Sequence, residues 1–178
     1  MQPGDIIYTI YNQQRHFGIY VDESNVIHCF PLRYAKWMPL HYMASVVGAT
    51  LKEFAMGRDI YRLDIPKNEE EWNDVVQRYQ KEKRRDNLSS WFGSPVQLLG
   101  GVRSWLGLEE SRYPFLFTPE ETIGRARSLL NVLSAPVPQN YEHFAIWCKT
   151  GISDSRKISK ILEILLETNS NPKPIVSA

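Results

Sequence analysis

The chain has 178 residues, of which 43 % are hydrophobic and 12 % aromatic, and a formal net charge of +1. That length suits a single domain with a sizeable core. The balanced charge leaves no electrostatic footprint for nucleic acid or for an acidic partner. The two cysteines, Cys29 and Cys148, are too few for a disulfide framework. They read as ordinary buried thiols, with one bridge between them as the alternative. Met1-Gln2-Pro3-Gly4-Asp5 lacks the basic and apolar regions of a signal peptide. No apolar run reaches the ~20 residues that a membrane-spanning helix needs, so a soluble, cytoplasmic protein is expected.

In chain order, strands come first. Pro3-Gly4-Asp5 is a turn, and Ile6-Ile7-Tyr8-Thr9-Ile10-Tyr11 is rich in β-branched and aromatic residues. Asn12-Gln13-Gln14 turns the chain into a second strand, Arg15 to Val21. Asp22-Glu23-Ser24 leads to a third, Asn25 to Phe30. Pro31 to Leu40 holds two prolines and no clean period, which predicts a loop, and residues 43–56 are ambiguous. Asp59 to Ile65 alternates as a strand ending at Pro66. Trp72, Val75, Val76 and Tyr79 stand at i, i+3, i+4 and i+7 of a helix over 69–85. The Lys81, Lys83, Arg84, Arg85 cluster complements that helix's negative end, or offers a contact for anionic lipid.

Leu88 to Leu108 is apolar, with Trp91, Phe92 and Trp105, and Pro95 and Gly100-Gly101 keep it from being one helix. It packs on the body as extra core, covers a lipid pocket, or makes a peripheral membrane contact. Thr118-Pro119-Glu120-Glu121 carries an N-cap, Pro at N1 and Glu at N3, opening a helix with Ile123, Ala126, Leu129, Leu130 and Leu133 on one face. After the turn Ala135 to Gln139, Asn140 is an N-cap, Glu142 complements the helix dipole, and Gly151 suits the exit of a helix running through Trp147. Ile158, Ile161, Leu162, Leu165 and Leu166 mark a last amphipathic helix, and 169–178 is expected to be a flexible tail.

Two stretches carry a resemblance. Asn140-Tyr141-Glu142-His143-Phe144 is similar to the NCEHF signature of the lecithin retinol acyltransferase (NC-domain) family. The run GDIIYTI, HFGIYV and VIH from Gly4 to His28 resembles that family's opening. The resemblance implies an α+β domain of the NlpC-like, papain-like kind, with a small antiparallel sheet packed against helices. It implies one domain over 1–168 with an insertion at about 67–112. Carried over, His16 is the base and His28 the residue that orients or polarises it. Tyr141 stands where the family has its acyl-accepting Cys. Asn140, His143, Trp147 and Tyr20 are expected to bind substrate, with no metal and no cofactor.

Tyr141 changes the chemistry that follows. A phenol has a pKa of about 10 against roughly 8.5 for a thiol, so it is less ionised and a poorer acyl acceptor. Cys148 is ~10 Å further along the helix at 1.5 Å per residue, and Cys29 points to the face of its strand opposite His28. Three readings follow. The first is a protein that binds a lipid-like or other hydrophobic small molecule without thioester transfer. The second is an enzyme using Tyr141 and His16 as a non-covalent acid/base pair for isomerisation, cyclisation or elimination. The third is a purely structural role. Residual acyltransferase or phospholipase activity is a lesser expectation. For both imidazoles to share a face, a three-residue loop Asp22 to Ser24 should set Val21 opposite Asn25 and His28 opposite Gly18.

Overall fold

The computed structural model describes residues 1–31, 44–86, 116–130, 141–168 and 171–177. The segment 88–108, the turn 135–139, Asn140 as an N-cap, and Leu133 all lie outside the described residues.

Five strands form one antiparallel sheet: β1 (Ile6–Tyr11), β2 (Gln14–Asp22), β3 (Asn25–Pro31), β4 (Ala44–Ala49) and β5 (Tyr61–Arg62), in the order β4-β3-β2-β1-β5. Asn12 and Gln13 both have positive φ, 47° and 64°, which matches the right-handed twist of the β1–β2 hairpin. Of these two, only Asn is at ease in that region.

The β2–β3 hairpin reaches the expected register by another route. His28 does oppose Gly18, but Asp22 pairs with Asn25, and the register shifts between Tyr20 and Asp22. The turn is therefore the two residues Glu23 and Ser24, and Val21 is a bulge that restores the odd count. The Asp22 carboxylate accepts from the Ser24 N–H at 2.8 Å, which favours the tight turn over the longer loop.

The ambiguous stretch 43–56 resolves into β4 and a short helix, α1 (Leu51–Ala55). Thr50 caps it: its Oγ1 accepts from the Glu53 N–H, and the Glu53 side chain accepts from the Thr50 N–H at 2.8 Å. The strand expected over 59–65 contracts to β5. Ile60 instead bridges Val176 of the tail, accepting from the Ile175 N–H at 2.7 Å, and Leu63 N–H donates to the Ile6 carbonyl at 2.9 Å. The tail thus makes one antiparallel bridge to the body.

Four further helices complete the described structure: α2 (Glu69–Asp86), α3 (Pro119–Ser128), α4 (Tyr141–Thr150) and α5 (Ser155–Thr168). The capping box expected at Thr118 and Glu121 is formed. Gly151 ends α4 at φ 77°, as its place after the last turn requires. Helix α4 lies against β2 and β3, with α3 and α5 beside it and α2 against α5.

Side-chain alternation divides the sheet. Ile6, Tyr8, Phe17, Ile19, Ile27, Cys29 and Val46 face the helices and form the larger core with Trp72, Phe144, Ile146 and Cys148. Ile7, Val26, Phe54 and Ile60 make a second, smaller cluster on the other face, joined by Tyr20, Leu51 and Val176. This is an α+β architecture with a small antiparallel sheet covered by helices.

Candidate functional site

His16 lies near the start of β2, opposite Thr9 of β1, and His28 lies on β3 opposite Gly18. Because residues directly opposite share a face, His16, Gly18 and His28 all stand on the face of the smaller cluster. Their imidazoles meet. His16 Nε2 and His28 Nδ1 are 2.9 Å apart, with one nitrogen donating and the other accepting. The ring planes are inclined at 75°.

The β2–β3 ladder ends at Gly18 and His28, whereas β1–β2 continues to Tyr11 and Gln14, and β3–β4 to Pro31 and Ala44. At this end Tyr141, the first residue of α4, brings its ring edge-on to His16, with centroids 4.9 Å apart and planes at 61°. Tyr141 also packs against the larger core. It therefore spans the two faces where β2 and β3 part company.

Burial decides the charge state. His28 is only 7 % exposed. Desolvation holds the pKa of His16 down to about 4. Desolvation and then the neighbouring His16 hold His28 to about 4, with a hydrogen bond to the Cys29 backbone pulling the other way. Both imidazoles are neutral at neutral pH. In the tautomer where His16 donates from Nε2, its Nδ1 keeps a lone pair with which to accept a proton.

The structure brings His16, His28 and Tyr141 together, and Tyr20 stands on the same face, against the smaller cluster. His143 is buried in α4, and its pKa is lowered by that burial. Trp147 is elsewhere. The Arg125 guanidinium lies 3.9 Å over its ring and 4.5 Å over that of Phe117, and donates to the Trp147 carbonyl at 3.2 Å. Asn140 lies outside the described residues. Both cysteines are free and wholly buried in the larger core, and burial pushes the Cys29 thiol up to about 11 and raises that of Cys148.

Sequence reasoning missed Phe54 and Gly18. The Phe54 ring lies 5.4 Å from that of His16 and 5.5 Å from that of His28. The one signal for its placement was the capping pair Thr50 and Glu53 in the stretch just before it. Among the described residues, no group of three or more His, Cys, Asp or Glu side chains is gathered to hold a metal ion.

An imidazole pair on one antiparallel sheet, met by the first residue of a helix packed on that sheet, places the molecule among α+β proteins of the papain-like and NlpC-like kind. The family model for lecithin retinol acyltransferase matches residues 1–154. The chain belongs to that family, a family of acyltransferases. Comparison with curated proteins found no match.

Proposed function

We propose that this protein binds an acyl- or lipid-type hydrophobic small molecule and does not pass an acyl group through a thioester. The observation that supports this is the lack of a thiol at the imidazole pair. The ring against His16 is that of Tyr141, and the chain's two cysteines are both sealed in the core on the opposite face of the sheet. On this reading Tyr141 stands where the family's acyl-accepting Cys would stand, and its aromatic ring narrows the site. Tyr20, on the face of the imidazole pair, lines the ligand. No cofactor and no nucleic acid takes part.

The 2.9 Å imidazole contact favours a second reading. A neutral His16 held between His28 and a phenol can take a proton from one side and share it with the other. That would suit isomerisation, cyclisation or elimination without a covalent intermediate.

Native mass spectrometry of the purified chain should reveal a non-covalent hydrophobic mass that organic solvent extracts. Turnover of such a compound, lost in Tyr141→Phe, would replace the binding reading with the acid/base one. Incubation with an activated acyl ester should leave the unmodified protein at its own mass and add one acyl group to Tyr141→Cys. Adding His16→Ala to that variant should slow labelling by about 10²–10⁴-fold, the usual worth of a general base. Acylation of the unmodified chain would overturn the proposal.

A further inference from the structure

Phe54 meets both imidazoles at once, although it reads in the sequence as an ordinary apolar residue. Its ring is tilted 38° to that of His16 and 69° to that of His28, and it is 1 % exposed. Gly18, the residue opposite His28, makes room for it. A Cβ at Gly18 would lie 2.9 Å from Phe54 Cε2, 2.9 Å from Val26 Cγ1 and 3.3 Å from His28 Cβ. The phenyl ring therefore uses the space that any other residue at position 18 would fill.

A third observation points the same way. Thr9, directly opposite His16, is fully buried. The β1 side of His16 is therefore shielded by packed protein. Helix α1 is in turn anchored at its start. The Thr50–Glu53 capping box sets its first turn, and the Leu51 N–H donates to the Glu23 carbonyl at 2.9 Å.

We propose that Phe54 is a positioning residue that walls the His16–His28 pair off from water and holds the two rings against each other beside Tyr141. The inference rests on reading those three residues as the working centre of the site. Its physical content is testable without any ligand. Desolvation is the chief cause of the low pKa of both imidazoles, and the Phe54 ring is among the groups that bury them. Among the described residues, the titratable groups facing His16 are His28 from β3 and Tyr141 from α4. Phe54 from α1 and Thr9 from β1 carry no charge, so replacing Phe54 changes hydration without removing a charged neighbour.

The test is a pH titration of the full chain labelled with ¹⁵N-histidine, followed by NMR. In the unmodified protein the His16 and His28 ring nitrogens should stay unprotonated down to about pH 4. Phe54→Ala should admit water and raise both midpoints toward the ordinary value, by at least about 1 pH unit. Gly18→Ala should act in the same direction by displacing the ring, and Phe54→Leu, which keeps an apolar cover, should restore most of the shift. Folded Phe54→Ala or Gly18→Ala protein with unmoved midpoints overturns the proposal, as does Phe54→Leu moving them as far as Phe54→Ala. Should Phe54→Ala fail to fold, the smaller truncation Phe54→Val takes its place under the same criteria. Midpoints that move in a protein found to hold no ligand leave this proposal standing and count against the functional one; the reverse result separates them the other way.

Discussion

A neutral imidazole bonded to a second neutral imidazole transmits protons but attracts no anion, and this shapes what His16 can do. With both rings uncharged, neither offers a formal positive charge to a carboxylate or phosphate, which is in keeping with the proposed apolar ligand. Thr9 belongs to the same shielded region. Its hydroxyl is buried with no hydrogen-bond partner among the described residues, an arrangement that costs about 1–3 kcal/mol. Thr9→Val removes that hydroxyl at nearly constant shape. The variant should therefore be more stable than the unmodified protein by about 0.5–1 kcal/mol, read as a higher denaturation midpoint in urea. A loss of stability would show that the hydroxyl is satisfied in solution and that the region beside His16 is wet.

At the level of elements, helix α4 is fixed at its far end so that Tyr141 can be held at the near one. Arg125 from α3 lies between the rings of Phe117 and Trp147 and bonds a carbonyl in the last turns of α4, where the helix dipole favours a cation. Gly151 then leaves the helix where a Cβ would come 3.1 Å from the same Phe117 ring. Arg125→Met keeps much of the apolar stem but loses the charge and the bond. It should cost about 1–2 kcal/mol in thermal or chemical unfolding, with the Tyr141 end of α4 exchanging its amide hydrogens faster. Unchanged stability would reduce the clamp to a surface contact.

How much of this was legible depended on the length of each element. Helix α2 shows its apolar face over several turns, and Trp72, Val75, Val76 and Tyr79 are buried as its period requires. Helix α1 has five residues, too few for a period to repeat; its only local mark was the capping pair Thr50 and Glu53. The alternation over 59–65 could not reveal that Ile60 turns to the tail, because pairing partners are chosen in three dimensions. The site divides in the same way. Alternation and the hairpin count put His16 and His28 on one face, although the bulge at Val21 stood in for a longer turn. Phe54 was invisible as a site residue, since a lone aromatic in a stretch of ambiguous pattern carries no sign of what it will touch.

For the molecule as a whole, the desolvated imidazoles, His28 buried and His16 half-buried, make acid stability the property most directly tied to the site. No helix among the described residues is long and apolar enough to cross a membrane. A histidine whose pKa is about 4 when folded and about 6.5 when unfolded binds its proton more readily in the unfolded chain. Stability is therefore complete above pH 6.5 and is lost as pH falls from 6.5 towards 4. One such imidazole accounts for a loss of about 2 kcal/mol between pH 6.5 and 4.5, and the pair for about 2–4 kcal/mol, because the two titrate as one coupled unit. His143 adds to the same window, its pKa being lowered by burial as well. Burial raises the pKa of the Glu142 carboxyl, so its protonation favours the folded chain as pH falls and offsets part of the histidine loss, whereas Glu53 and Asp154, held low by backbone hydrogen bonds, act at more acid pH. Urea unfolding measured between pH 7.5 and 4.5 should thus show a steep fall in the unmodified protein. His16→Asn combined with His28→Asn should flatten the slope to the opposing shares of His143 and Glu142, even if its stability at pH 7.5 is lower. A flat profile for the unmodified protein would mean that water already reaches the imidazole pair, and both the dry site and its preference for an apolar ligand would fall with it.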